Sequence, residues 1–206
     1  MVNDDPSSDV LPRLEKAEQL KLDGKHLDAL VILEDLLFED PENISALEEV
    51  ADNELSLHHY DRSEAAAQQA VALDRNSYTG FYILGFLRSR TEQWEEAVQF
   101  LRKSNALQSN NPEILRCLGW ALFHAGQRAQ GIVTLERALN LDAESTLTLC
   151  DLGIAYLEAQ NFAKSKTLFL RALDLDPGNA RARECIQALE RMRAMLSREK
   201  EKVVRQ

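Results

Sequence analysis

"CLGWALFHAGQ" occupies residues 117–127 and "DLGIAYLEAQN" residues 151–161. Each holds a Leu-Gly pair, Leu118-Gly119 and Leu152-Gly153, and the pairs stand 34 residues apart. The same interval counted backwards gives Leu84-Gly85, Val50-Ala51 and a degraded Lys16-Ala17. The second member is Gly or Ala in every copy, so a small side chain is demanded there. Twelve residues further on come Ala29, Ser63, Ala97, Gly131 and Ser165, again all small. Nineteen residues on stand Leu36, Ala70, Ser104, Ala138 and Ala172, small in four of five. A period in this range is the mark of stacked structural repeats.

The same register puts a turn at each repeat end, as in "EDPEN" and "DPGN", and a second break in the middle, as in "DGKH" and "AGQR". Each unit therefore reads as helix, short turn, helix, turn. Two antiparallel helices approach closely only where the side chains at their crossing are small. Large apolar residues fill the remaining inward positions: Leu47, Phe81, Leu115 and Leu149 on first helices, with Leu33, Leu101, Leu135 and Phe169 on second helices.

This pattern resembles the tetratricopeptide repeat family. Residues 146–179 carry it best, through Leu149, Leu152, Gly153, Tyr156, Ser165, Phe169, Ala172 and Pro177. The expected fold class is all-α, a right-handed α-solenoid of antiparallel helix pairs. Five units are expected at 10–43, 44–77, 78–111, 112–145 and 146–179, after an acidic N-terminal tail at 1–9. Departures are Lys16 in the first unit, Glu54 and Arg88 where the family has an aromatic, and Ser104 for Ala. Such units cannot bury their apolar faces alone. Residues 180–206 are expected to cap the last one as a helix striped by Cys185, Leu189, Met192, Leu196 and Val203, with Glu199 in the missing slot and a basic C-terminal arm.

Bulk properties narrow the function. Net charge is −10, which disfavours nucleic acid as a partner. Residues 181–206 hold eight Lys or Arg against four Glu, so a mildly basic tail follows an acidic body. No apolar run approaches the roughly 18 residues of a membrane span, so no membrane insertion is expected. The N-terminus is polar and acidic, unlike a secretory signal. With three widely spaced cysteines, Cys117, Cys150 and Cys185, the expectation is a cytoplasmic protein with reduced thiols.

On a helical wheel, unit positions 2, 5, 9 and 12 of each first helix lie opposite its packing face. The family resemblance makes this the concave, ligand-binding side. The early units place Glu18, Glu48 and Asp52 there, an acidic half. Later units place Tyr82 and Phe86, then Arg116, Trp120 and Phe123, then Ile154 and Leu157, with Arg90 and His124 one position further along. Aromatic residues and Arg are enriched in binding hot spots. The expectation is a groove for another protein's segment with apolar anchors and a basic end, Arg90 and Arg116 fixing its polarity. The family's carboxylate clamp for acidic chaperone tails is not matched, because its places hold Leu14, Glu18, Glu49, Tyr82 and Phe86.

Nothing in the sequence asks for catalysis, a metal or a cofactor. His26, His58 and His59 fall in mid-unit turns, and the His58-His59 pair lacks further ligands at useful spacing. Cys150 and His124 share a face, but neither a third orienting group nor an activated thiol is visible. The expected function is a non-enzymatic adaptor, scaffold or chaperone-like module. The alternative is a homo-oligomer assembled through residues 180–206.

Overall fold

The structure is a computed structural model that describes residues 9–191. Most of the expected N-terminal tail and the expected basic arm, including Met192, Leu196, Glu199 and Val203, lie outside the described residues. The described chain forms α1 (Val10–Leu22), α2 (His26–Glu39), α3 (Ile44–Ser56), α4 (Tyr60–Leu73), α5 (Tyr78–Arg90), α6 (Trp94–Leu107), α7 (Pro112–His124), α8 (Arg128–Leu141), α9 (Thr146–Glu158) and α10 (Phe162–Leu175). A further helix, α11, begins at residue 180 and runs to the last described residue, 191. First helices start at 10, 44, 78, 112 and 146, and second helices at 26, 60, 94, 128 and 162. The 34-residue step of the sequence is thus the step of the helices.

The turns repeat as faithfully. Gly24, His58, Glu92, Gly126 and Gln160 close the five first helices with φ between 58° and 83°. In each, the residue after the left-handed one donates its N–H back to the last turn, as His59 does to the Glu54 carbonyl at 2.9 Å. His58 donates to Leu55 at 3.0 Å, which completes the paired bonds of a Schellman ending. Between units, short polar side chains cap the next helix: Asn43 accepts from Ala46 N–H, Ser77 from Gly80 and Ser145 from Thr148. Asn111 accepts from Glu113 and Ile114, ahead of Pro112 in the first turn, where the missing N–H costs nothing.

Two compact units divide the chain, residues 1–109 and 110–206. In the first, each helix packs on the next from α1 to α6, and the first helices α1, α3 and α5 also touch in succession. Its core joins Ala17, Ala29, Leu33, Val50, Ala67 and Leu84. In the second, α7 to α10 pack in order and α9 also touches α7. There Phe169, Leu149 and Ala172 form one cluster with Ala182 and Leu189 of α11, which covers the end of the last helix pair.

The small columns are crossing points. Ala17, Ala51, Ala29, Ser63, Ala97 and Ser165 are all at 0% exposure. The closest crossing is glycine on glycine. A Cβ on Gly119 would lie 2.9 Å from the Leu135 backbone nitrogen, and one on Gly131 2.7 Å from the Gly119 carbonyl oxygen. Where the column holds a hydroxyl, it can be satisfied by the facing helix: Ser63 donates to the Ala51 carbonyl at 2.7 Å and Ser104 to that of Tyr78 at 2.9 Å.

Three departures from the repeat pattern follow from what surrounds them. Glu54 is fully buried, but its carboxylate meets His59 at 2.7 Å and Arg62 at 2.9 Å. Arg88 pairs with Glu64 at 2.7 Å and Glu96 at 3.1 Å. Charged residues replace an aromatic here by reaching ionic partners at the start of the second helix. Lys16 is exposed, since no described helix precedes α1 to cover it.

Candidate partner-binding face

In the first unit, the inner positions of α1 and α3 form the acidic set. Glu18 is exposed. Asp52 is held by Lys21, whose Nζ lies 3.0 Å from it and 2.7 Å from Glu49. Burial lowers the Lys21 pKa, but the hydrogen bonds and charges of Glu49 and Asp52 outweigh it and leave the ammonium above its ordinary value. Glu48 accepts from Ser77 Oγ at 2.6 Å. Burial raises the Glu48 pKa, the Ser77 hydrogen bond pulls it down, and the Asp74 and Glu49 charges add to the rise. Lys21 thus meets two of the four carboxylates, Glu49 and Asp52, and the set holds more acids than bases.

On α5, Tyr82 and Phe86 are half-buried, with ring centroids 6.4 Å apart. Both lean on the first unit's core. Arg90 is exposed, and its guanidinium stacks 3.9 Å over the ring of Tyr60 on α4. That stacking partner, invisible in the wheel of α5 alone, fixes where Arg90 points.

In the second unit, three helices converge on one buried carboxylate. Asp151 of α9 is almost fully buried and receives Arg116 of α7 at 2.7 Å and Arg181 of α11 at 2.7 Å. Arg116 also pairs with Glu113 one turn back, at 2.5 Å. Burial opposes the Arg116 charge, but hydrogen bonding to Glu113 and the surrounding negative groups raise its pKa well above the ordinary value. With its donors directed to Glu113 and Asp151, Arg116 acts first as a tie between α7 and α9. Two charged hydrogen-bonded partners are what a buried carboxylate requires.

Arg181 does a second thing. Its guanidinium stands 5.4 Å from the centre of the Trp120 ring, while His124 meets the same indole edge-on at 4.3 Å. Trp120 and His124 are half-buried, as are Ile154 and Leu157 beside the α9–α11 core. Leu147, at the start of the same face of α9, is 54% exposed. Phe123 corrects the sequence reading. It is 2% exposed and packs with Leu135, Leu152, Ala155 and Tyr156, so it belongs to the core. Position 12 lies at the edge of the inner face, and in the second unit α9 closes over it.

Two features escaped the sequence reading. Arg181 was legible, since one more 34-residue step from Leu147 lands on it. The other is a cleft of about 540 Å³ among α8, α9 and α10, with Leu139, Leu152 and Leu168 on its apolar wall. Tyr156 stands in it, bonded to Glu136 and, at 2.9 Å, to Lys164. Second helices contribute most of it, and no sequence motif marks it.

The thiols are not activated. Burial pushes Cys150 up to about 11, against the pull of Arg181, and raises Cys117 further still. Among the described residues no three His, Cys, Asp or Glu side chains are grouped to hold a metal ion.

Stacked antiparallel helix pairs, with small residues at each crossing and a helix over the last pair, place the chain in the all-α solenoid class. More particularly, the repeats are similar to those of tetratricopeptide repeat proteins. The sequence model of the Tetratricopeptide repeat family matches residues 147–179. YrrB, described as a TPR protein with an unusual peptide-binding site, superposes with a TM-score of 0.64 at 19% identity, covering 85% of this chain and 91% of that one. TTC0263, a thermophilic TPR protein of Thermus thermophilus, gives 0.69 at 19% identity, covering 87% and 97%. At these identities the likeness concerns the fold. Among curated proteins, the cytochrome c-type biogenesis protein CycH of Pseudomonas aeruginosa is 29% identical over 133 residues, 63% of this chain. The aligned part is about a third of CycH. Tetratricopeptide repeats are protein–protein interaction modules, and no described helix is long and apolar enough to cross a membrane.

Proposed function

We propose that this protein is a non-enzymatic adaptor, scaffold or chaperone-like module that holds a segment of another protein against its first-helix faces. The observation that carries this reading is the surface around Trp120. In the second unit, a half-buried tryptophan and His124 stand on α7, while Ile154, Leu157 and the exposed Leu147 leave apolar surface on α9. Partly open aromatic and aliphatic groups on a rigid helix pair are the makings of a hot spot. The partner segment brings apolar anchors to this surface. Tyr82 and Phe86 offer a further aromatic contact in the first unit, where Glu18, Glu48 and Asp52 select a basic end. Arg90 and Arg116 contribute polarity.

The peptide-binding site named for YrrB and the biogenesis role named for CycH are compatible with a module that handles protein segments. The cytoplasm is the location proposed with it, a reading supported by three free cysteines, two of them buried.

Paired capture from lysate of the source organism tests the proposal. One bait is the natural chain, and the others carry Trp120→Ala or Phe86→Ala after a check for unchanged helicity and melting. A partner retained by the natural chain is expected to bind the Trp120→Ala protein about 30- to 1000-fold more weakly, the range for losing a central aromatic anchor. Equal retention by a folded Trp120→Ala protein would remove Trp120 from the site.

A further inference from the structure

The outer face of α2 is apolar where the other repeats, Val133 apart, are polar or small. Phe38, near the end of the helix, is 90% exposed, and Leu27 and Val31 on the same stripe are 64% and 61% exposed. Every counterpart of these three positions in the next four repeats is also exposed. Phe38 is matched there by Ala72, Ala106, Asn140 and Asp174, and in the last repeat Leu27 and Val31 are matched by Ala163 and Thr167. The fold thus turns these columns toward solvent, and only the first repeat fills all three with large apolar groups, as a contact surface does.

The second unit carries a complementary feature. Its cleft of about 540 Å³ has Leu139, Leu152 and Leu168 on its wall, and the exposed Ala163 and Thr167, small counterparts of Leu27 and Val31, at its rim. Two repeats earlier, the place of Leu168 is held by Phe100, whose ring centroid lies 6.3 Å from that of Phe81 and which packs on the first unit's core. The places of Tyr156 and Lys164 hold Arg88 and Glu96, tied at 3.1 Å. The first unit thus fills this spot with a ring and an ion pair of its own. The second unit, with a leucine there, leaves room for a ring from outside. A cavity of about 150 Å³ already admits benzene.

We propose that Phe38 of one copy of the chain docks in the Tyr156 cleft of a second copy. Charge selects this occupant. Residues 34–42 hold Glu34, Asp35, Glu39, Asp40 and Glu42 and no Lys or Arg. Glu34 is paired with Arg62 and Glu39 with Arg13, while Asp35, Asp40 and Glu42 have no ion pair among the described residues. Helix α10, which forms one side of the cleft, carries Lys164, Lys166 and Arg171 against Asp174. Lys164 and Lys166 adjoin the rim residues Ala163 and Thr167 in sequence. Acids around the ring therefore meet bases beside the cleft.

The same charges disfavour the symmetric contacts, since α2 on α2 sets acid against acid and α10 on α10 sets base against base. The contact is therefore heterologous, and each copy added brings one further Phe38 and one further cleft. Association runs on past the dimer, into an open chain or a closed ring. This surface is built mainly on second helices and is distinct from the first-helix face around Trp120.

Sedimentation velocity of the full chain over a concentration series tests this. The natural protein is expected to grow from monomer through dimer to larger species as concentration rises. Phe38→Ala removes the inserted ring, and Thr167→Trp fills the cleft from its exposed rim. Each should weaken association by at least about tenfold, with helicity unchanged. Ala163→Trp serves as the cleft variant should Thr167→Trp lower the melting temperature. Mixing Phe38→Ala with the cleft variant should give a dimer and nothing larger, since one chain keeps the cleft and the other keeps Phe38. A monomer at every concentration would overturn the proposal and leave the cleft to an aromatic, acidic segment of another protein. Association indifferent to Phe38→Ala, or a mixture that stays monomeric or grows past the dimer, would overturn it equally.

Discussion

Glu48 shows how a single inner-face residue trades stability for charge. Its folded pKa lies above the ordinary carboxyl value, with burial as the largest cause. The native state therefore binds this proton more tightly than the unfolded chain does. Its ionised form opposes folding above pH about 4.5, and that opposition fades as pH falls through the raised folded value. Glu48→Gln keeps an acceptor for Ser77 and removes the charge. The variant is expected to melt higher than the natural chain at pH 7, and the gain should shrink toward pH 4. Thermal melts at the two pH values check this, and a gain that grows on acidification would contradict it. Keeping a carboxylate there at a cost to folding accords with selection of a basic partner end.

Helix pairs depend on a few atoms at their crossings. Gly119 and Gly131 bring α7 and α8 into backbone contact, so a methyl at Gly119 would meet the Leu135 nitrogen, which cannot swing aside as a side chain could. Gly119→Ala is expected to destabilise the protein by about 2–3 kcal/mol, through overpacking. Chemical denaturation measures it. A loss within about 0.5 kcal/mol, as for an ordinary surface change, would show that the crossing yields. These columns were plain in the sequence because closeness of two backbones permits only the smallest side chains. What one helix cannot reveal is which neighbour covers its edge. The wheel of α7 put Phe123 outside, and Leu152, Ala155 and Tyr156 of the next pair enclose it. Nor could the wheel show Arg90 drawn to Tyr60, or the Arg116–Asp151–Arg181 tie, because each crosses between helices far apart in sequence.

At the scale of the whole molecule, period and fold class follow from the 34-residue step, while the division of labour among repeats rests on where copies differ. Every repeat keeps the first two small columns and the same left-handed turn, so those features carry the architecture. The deviations carry the surface chemistry: acids on the inner face of α1 and α3, Trp120 on α7, and the apolar outer stripe of α2. The outer stripe was within reach of a column-by-column comparison, but only the structure shows that its columns face solvent throughout. The cleft around Tyr156 had no such signal, because its wall is assembled from ordinary core leucines left partly uncovered between helices.

In the proposed function a partner segment lies on the first-helix face of the second unit. The most direct test is site-specific photo-crosslinking in cells. One full-length protein carries the photoreactive residue in place of Leu147, exposed on that face, and the other in place of Val133, exposed on the second helix α8. Neither position is buried, so both proteins keep the native fold. A discrete adduct with another protein from position 147, lost when Trp120→Ala is added and absent from position 133, is the result predicted. Adducts from position 133 alone would contradict it and move the site to the second helices.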